Sequence, residues 1–198
     1  MNKILVAYAS MAGSTAEVAQ AVGEELANCG FQVDVLPLKD VTDLEDYAGV
    51  VVGAPMIMGW HREAQRFLRK NRSSLQRIPL AVYVLAMSLT RTGDMSLDGV
   101  PVRIDDKLPK MPEKEGQLSF KERYATLSNY LQPILRHTRP AKPVSIGVFG
   151  GRLEYGRLKW WAVMFAMLII QAPAGERRNW PFIRAWAAGL PEAFHLPV

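Results

Sequence analysis

Lys3-Ile4-Leu5-Val6-Ala7-Tyr8-Ala9-Ser10-Met11-Ala12-Gly13-Ser14-Thr15 is an apolar run that ends in small and hydroxylated residues. From Ala16 onward Val18, Ala21, Val22, Leu26 and Ala27 recur at helical spacing, with Glu17, Gln20, Glu24 and Glu25 on the other face. The pattern is strand, tight loop, helix. Ser10, Ser14 and Thr15 offer side-chain hydrogen bonds, Met11 and Ala12 complete the loop, and Gly13 lets a backbone approach a ligand closely. The loop feeds a helix N-terminus, where orphan N–H groups and the dipole favour an anion, and no acidic residue lies between Ser10 and Ala16. A phosphate is the natural guest. The same residues also read as a βα turn capped by its own Ser or Thr, with no ligand. The P-loop pattern and the three-glycine dinucleotide fingerprint are both absent.

Downstream, the strand–helix rhythm repeats. Gln32 to Leu36 alternates into a second strand after Gly30, and polar Asp40 to Tyr47 reads as a short helical connection. Tyr47 to Pro55 and Leu80 to Met87 are nearly wholly apolar, as strands buried on both faces of a parallel sheet are. Between them Trp60 to Arg72 reads as a helix with Ala64, Phe67 and Leu68 inward. Phe120 to Arg136 reads as another helix, and Val144 to Phe149 as a fifth strand ending at Gly150-Gly151. This alternation predicts a doubly wound α/β sheet within one domain spanning residues 1–198.

Two stretches break the rhythm. Residues 88–117 carry Gly93, Gly99, Pro101, Pro109, Pro112 and Gly116, too long for an ordinary βα connection. They read either as a surface loop or as a lid, since they leave the carboxyl end of a strand, where open sheets place their sites. Residues 152–178 form an apolar and basic extension. Its Trp160 to Ile170 run is too short to span a bilayer. It suits a buried helix, a homodimer seam, or contact with an anionic membrane surface. Asn179 reads as the cap of a last helix near Trp180 to Leu190, with Pro181 in its first turn.

Composition sets the remaining bounds. A 198-residue chain with 49% hydrophobic residues is globular, and its single cysteine, Cys29, forms no internal disulfide. The start runs straight into a strand, with no cleavable signal pattern, and a cytoplasmic protein is expected. The net charge of +5 draws anionic partners and weighs against an acidic electron shuttle. Basic residues are scattered between elements, which disfavours a nucleic-acid module. No cluster has metal-ligand spacing, and no nucleophile–base pair is readable, so no catalytic residue is assigned.

Ser10, Gly13, Ser14 and Thr15 resemble the phosphate loop of the flavodoxins, with Ala12 where a second hydroxyl is usual. The resemblance implies a five-stranded parallel sheet of order 2-1-3-4-5 with helices on both faces, and FMN as cofactor. A narrower likeness joins Val52 to Gly59 and His61, Tyr155 to Trp161, and Asn179-Trp180. These resemble the flavodoxin-like protoporphyrinogen oxidases, which oxidise protoporphyrinogen IX with FMN and pass electrons to a membrane quinone. Ile57 and Met58 stand where that subfamily tends to carry a basic residue and an aromatic, and Asn179 where it usually carries Asp. The resemblance implies that Pro55, Met56, Ile57, Met58, Gly59 and Trp60, after strand three, embrace the flavin. Met87, Ser88, Leu89, Thr90 and Gly93, after strand four, do the same, with Met58 or Trp60 against a ring face. His61, Arg91, Arg152, Tyr155 and Arg157 are candidates for substrate or anionic groups. The expected activity is an FMN-dependent oxidoreductase acting on protoporphyrinogen or a related reduced substrate with a quinone. An NAD(P)H:quinone reductase and a non-catalytic flavodoxin carrier stand as alternatives.

Overall fold

The structure is a computed structural model that describes residues 3–57, 59–91, 99–114, 116–153 and 175–197. The first half runs β1 (Lys3–Tyr8), α1 (Ser14–Asn28), β2 (Gln32–Pro37), β3 (Gly49–Pro55), α2 (Arg62–Lys70) and β4 (Leu80–Ala86). Three short strands follow: β5 (Leu89–Thr90), β6 (Val102–Ile104) and β7 (Pro109–Lys110). The second half holds α3 (Phe120–Tyr124), α4 (Leu127–Thr138), β8 (Ser145–Gly150), β9 (Arg152–Leu153) and β10 (Gly175–Glu176). It closes with α5 (Trp180–Ala188) and α6 (Leu190–Ala193).

The main sheet has the order β2-β1-β3-β4-β8-β6, and all of its pairings are parallel. The expected order 2-1-3-4-5 is present in the first five positions. Period-two alternation sends each strand's side chains to two cores. Leu5, Ala7, Val50, Val52, Val82, Val84, Ile146 and Val148 meet the α2/α4 layer. Ile4, Val6, Val51, Tyr83, Leu85 and Phe149 meet α1 and α5. The strand order reverses between β1 and β3, and their carboxyl ends open a crevice there.

Several elements differ from the sequence reading. A sixth strand, β6, pairs with β8 through Val102↔Ile146 and Ile104↔Val148, so part of the 88–117 excursion extends the sheet. Elsewhere in it, β5 pairs with β7. The helix expected over Phe120 to Arg136 is two helices. Ser119 and Glu122 form a capping box for α3, and Thr126 starts α4 by accepting from the Asn129 N–H. Between Asp40 and Tyr47 there is no helix beyond the 3-10 turn Leu38–Asp40. Tyr47 turns back instead, and its hydroxyl donates to Asp34 Oδ2 at 2.6 Å.

Of the 152–178 extension, only its ends are described, as the antiparallel pair β9 and β10. Trp160 to Ile170 lies outside the described residues. No helix among the described residues is long and apolar enough to cross a membrane.

Candidate functional site

The β1–α1 loop leaves hydrogen-bond donors free at the start of a helix. Gly13 is the residue before α1 and sits at φ +88°, a left-handed conformation that suits glycine. No side chain caps α1, so the helix-start N–H groups are not satisfied by a Ser or Thr of the loop. The reading of the loop as a self-capped turn is therefore not what the structure shows. Ser10 Oγ accepts the Gly13 N–H at 3.0 Å, and Ser14 Oγ accepts the Arg152 N–H at 3.1 Å. A hydroxyl that accepts a backbone N–H still has its own proton to give. Ser10 and Ser14 thus keep one donor each for a phosphate oxygen.

The loop is braced from below. Gly53 on β3 leaves room for the Tyr83 ring, which a Cβ would meet at 1.8 Å. Tyr83 reaches past it to donate to the Thr15 carbonyl at 3.2 Å, fixing the head of α1 to the sheet. From the side come two guanidinium groups. Arg152 makes two bonds to Glu17 of α1, at 2.8 and 3.3 Å. Arg178, with its side chain 2% exposed, bonds Glu17 at 2.8 Å and both oxygens of Glu176, and lies over the Trp180 ring at 4.5 Å. Hydrogen bonding from Arg178 holds the Glu17 and Glu176 carboxyls below their ordinary range. Glu17 would repel a phosphate one turn away; its two arginine partners cancel that charge.

A cleft opens above this loop. It brings together Ser10, Met11, Ala12, Ser14 and Thr15 with Pro55, Met56, Ile57, Met87 and Arg152. Leu85, Ala86, Gly151 and Leu153 also line it and were not singled out from sequence. Strand ends look like any other part of an apolar run, although Gly150-Gly151 marked the place. A Cβ on Gly150 would stand 2.0 Å from the Arg177 carbonyl oxygen. That close approach lets residues 175–178 cross here, and Arg177 donates to the Met87 carbonyl at 2.7 Å.

Other expected site residues lie elsewhere. Trp60 is 2% exposed, bridged to Met56, and packed in the core with Ala64 and Phe67; it does not line the cleft. Leu89 and Thr90 are buried in β5, with the Thr90 N–H bonded to the Ala125 carbonyl. Gly59 adopts φ +97°, in keeping with a turn that a side chain would strain. Its N–H bonds to the Tyr124 hydroxyl at 2.8 Å. Ser88 offers its carbonyl to Tyr130 at 3.0 Å.

His61 uses Nδ1 to accept the Glu63 N–H at the start of α2, and burial holds its imidazole below the ordinary value. Arg91 is exposed beyond β5. Asn179 occupies the cap position of α5, yet its side chain donates to the buried Asp105 at 3.0 Å instead of capping. Met58, Gly93, Tyr155 and Arg157 lie outside the described residues.

The donor set fits FMN. Hydroxyl and helix-start donors stand where the phosphate would go, and Met56, Ile57, Leu85, Met87 and Leu153 offer apolar walls for a flat ring. No carboxylate lines the cleft among the described residues. The family profile described as Flavodoxin domain matches residues 5–177. The protoporphyrinogen IX dehydrogenase [quinone] of Escherichia coli strain K12 is 25% identical over 177 residues, covering 88% of this chain and 82% of that protein. A short-chain flavodoxin associated with a non-canonical PDU bacterial microcompartment superposes with a TM-score of 0.50 at 16% identity. That match covers 98% of this chain and 99% of the other. The chain belongs to the flavodoxin domain family, and FMN is its cofactor.

Proposed function

We propose that this chain is an FMN-dependent oxidoreductase that removes hydrogen from protoporphyrinogen IX, or a closely related reduced tetrapyrrole, and delivers it to a quinone. The similarity to the Escherichia coli dehydrogenase, sustained across 88% of the chain, carries the reading. The cleft supports it, with apolar walls for a ring system and Arg152 at one edge. Bound FMN supplies the electron-pair chemistry, and each pair of hydrogens taken from the substrate reduces one quinone to a quinol. The chain's own residues bind and orient. Ser10, Ser14 and the α1 N-terminus hold the phosphate, and the methionine-rich walls exclude water.

The test is anaerobic turnover of the purified, FMN-loaded protein with protoporphyrinogen or NADPH as donor and a soluble quinone as acceptor. Quinone-dependent appearance of porphyrin fluorescence is expected. Reduction by NADPH alone would make the chain an NAD(P)H:quinone reductase. No turnover with either donor would leave an electron carrier.

A further inference from the structure

Positive charge is concentrated in two segments of the chain. Residues 62–77 hold six Lys or Arg against one acid, Glu63, and residues 121–142 hold five against one, Glu122. Together these two segments carry nine positive charges in excess while the whole chain carries +5, so the remainder is net acidic. The two segments are neighbours, because α2 packs against α4. Ala64, Phe67 and Leu68 face the sheet, leaving Arg62, Arg66, Arg69 and Lys70 exposed, and Arg72 and Arg136 are exposed as well. None of these six has an acidic partner among the described residues; the ion pairs of Lys3, Arg152, Arg178 and Arg184 lie elsewhere.

A second observation marks the same layer. The exposed large hydrophobic side chains among the described residues are Met111, at 74%, and Phe120, at 68%. Phe120 opens α3, and the loop carrying Met111 is tied to it, because Glu122 accepts the N–H groups of both Glu113 and Ser119. Six basic side chains without an acidic partner, headed by bare apolar ones, match an anionic bilayer, which takes up both. A nucleic acid would satisfy the charges and leave the Met and Phe unused.

We infer that the α2/α4 layer is the docking face for an anionic lipid surface, with Met111 and Phe120 entering the headgroup region. The inference does not depend on which substrate the cleft takes. The layer is also attached to the cleft: α2 follows its second loop directly, and Tyr124 and Tyr130 hold both loops. Docking here sets the cleft beside the bilayer.

The experiment is co-sedimentation of the full-length, FMN-loaded protein with vesicles of phosphatidylcholine alone or mixed with phosphatidylglycerol. Binding is expected only to the anionic vesicles, and it weakens as salt rises. The triple variant Arg66→Glu/Arg69→Glu/Arg136→Glu should weaken binding by at least about 100-fold. Phe120→Ser should weaken it by about tenfold, and Arg184→Gln, on the other layer, should change nothing. Circular dichroism and flavin content verify that each variant is folded.

Wild-type protein that stays in solution with every vesicle overturns the inference. So does a folded triple variant that binds like wild type. Binding lost only in Trp160→Ser/Trp161→Ser assigns attachment to the apolar extension instead. Retention of a fluorescent single-stranded DNA at physiological salt without vesicle binding makes the face a nucleic-acid surface.

Discussion

Gly13 and Ser14 are adjacent, yet in the proposed phosphate loop they act through different physics. Gly13 supplies a backbone at φ +88°, and a branched side chain there adds strain of roughly 1–2 kcal/mol while placing bulk where the anion approaches. Ser14 supplies one hydroxyl, which also accepts the Arg152 N–H, and losing one such bond costs about 1 kcal/mol. Gly13→Val should therefore weaken FMN binding by about 100-fold or more, and Ser14→Ala by about fivefold. Quenching of flavin fluorescence on titration measures both. Riboflavin, which lacks the phosphate, should bind all three proteins alike; equal losses for riboflavin and FMN would mean that the loop does not hold the phosphate.

Trp60 shows where residue-scale reading of the sequence stops. An aromatic just past a flavin loop reads as a ring-stacking residue, but the bridge to Met56 and the start of α2 turn it into the core. Whether a side chain at a strand end points up or down is settled by the tertiary partner, and no local pattern records that partner.

At the scale of elements, the α3–α4 pair acts as a bracket for both loops beside the cleft. Tyr124 holds the Gly59 N–H, Tyr130 holds the Ser88 carbonyl, and the two rings meet edge to face at 6.2 Å. Burial pushes the Tyr130 hydroxyl well above its ordinary pKa, so it stays a donor across the working pH range. Tyr124→Phe and Tyr130→Phe each remove one hydrogen bond from a loop, worth about 1 kcal/mol. Each should reduce FMN affinity several-fold and shift the flavin reduction potential. Because the rings touch, the double variant should depart from the sum of the singles. Spectroelectrochemical titration and FMN binding are the measurements. Unchanged affinity and potential in both single variants would show that the bracket stabilises the helices alone.

The bracket was hidden in the sequence because its bonds span 65 and 42 residues. The strands were legible for the opposite reason. Gly49–Pro55 and Leu80–Ala86 are apolar without interruption, as strands covered on both faces of a parallel sheet are. Val102–Ile104, between Pro101 and Asp105, is too short to register as a period, and pairing with β8 makes it a strand.

Across the whole molecule, the Glu17–Arg152–Arg178–Glu176 network joins the first helix to the segments on either side of the long extension. It ties parts of the chain more than a hundred residues apart at the phosphate end of the cleft, with contacts of 135 and 161 residues' separation. Both carboxyls are held below their ordinary value of 4.5 by hydrogen bonds from Arg178. A carboxyl whose pKa is depressed by folding adds its full stability above the unfolded value, and that contribution is lost as pH falls through the folded one. The stabilisation is thus complete at neutral pH and decays below about pH 4.5. Glu17 and Glu176 are partly exposed, at 42% and 45%, and solvent screening keeps each pair to about 1 kcal/mol or less. Arg178 is the buried member, so removing both carboxylates strands a guanidinium and costs more than the two pairs alone.

Urea midpoints measured from neutral pH into acid should fall for the wild type. Glu17→Gln/Glu176→Gln should start lower at neutral pH and fall less. FMN affinity should follow the same trend, because the network holds the wall that donates to Ser14. Parallel pH profiles for the wild type and the double variant would show that these carboxylates carry none of the acid sensitivity, and that the two ends of the chain are held at the cleft by packing alone.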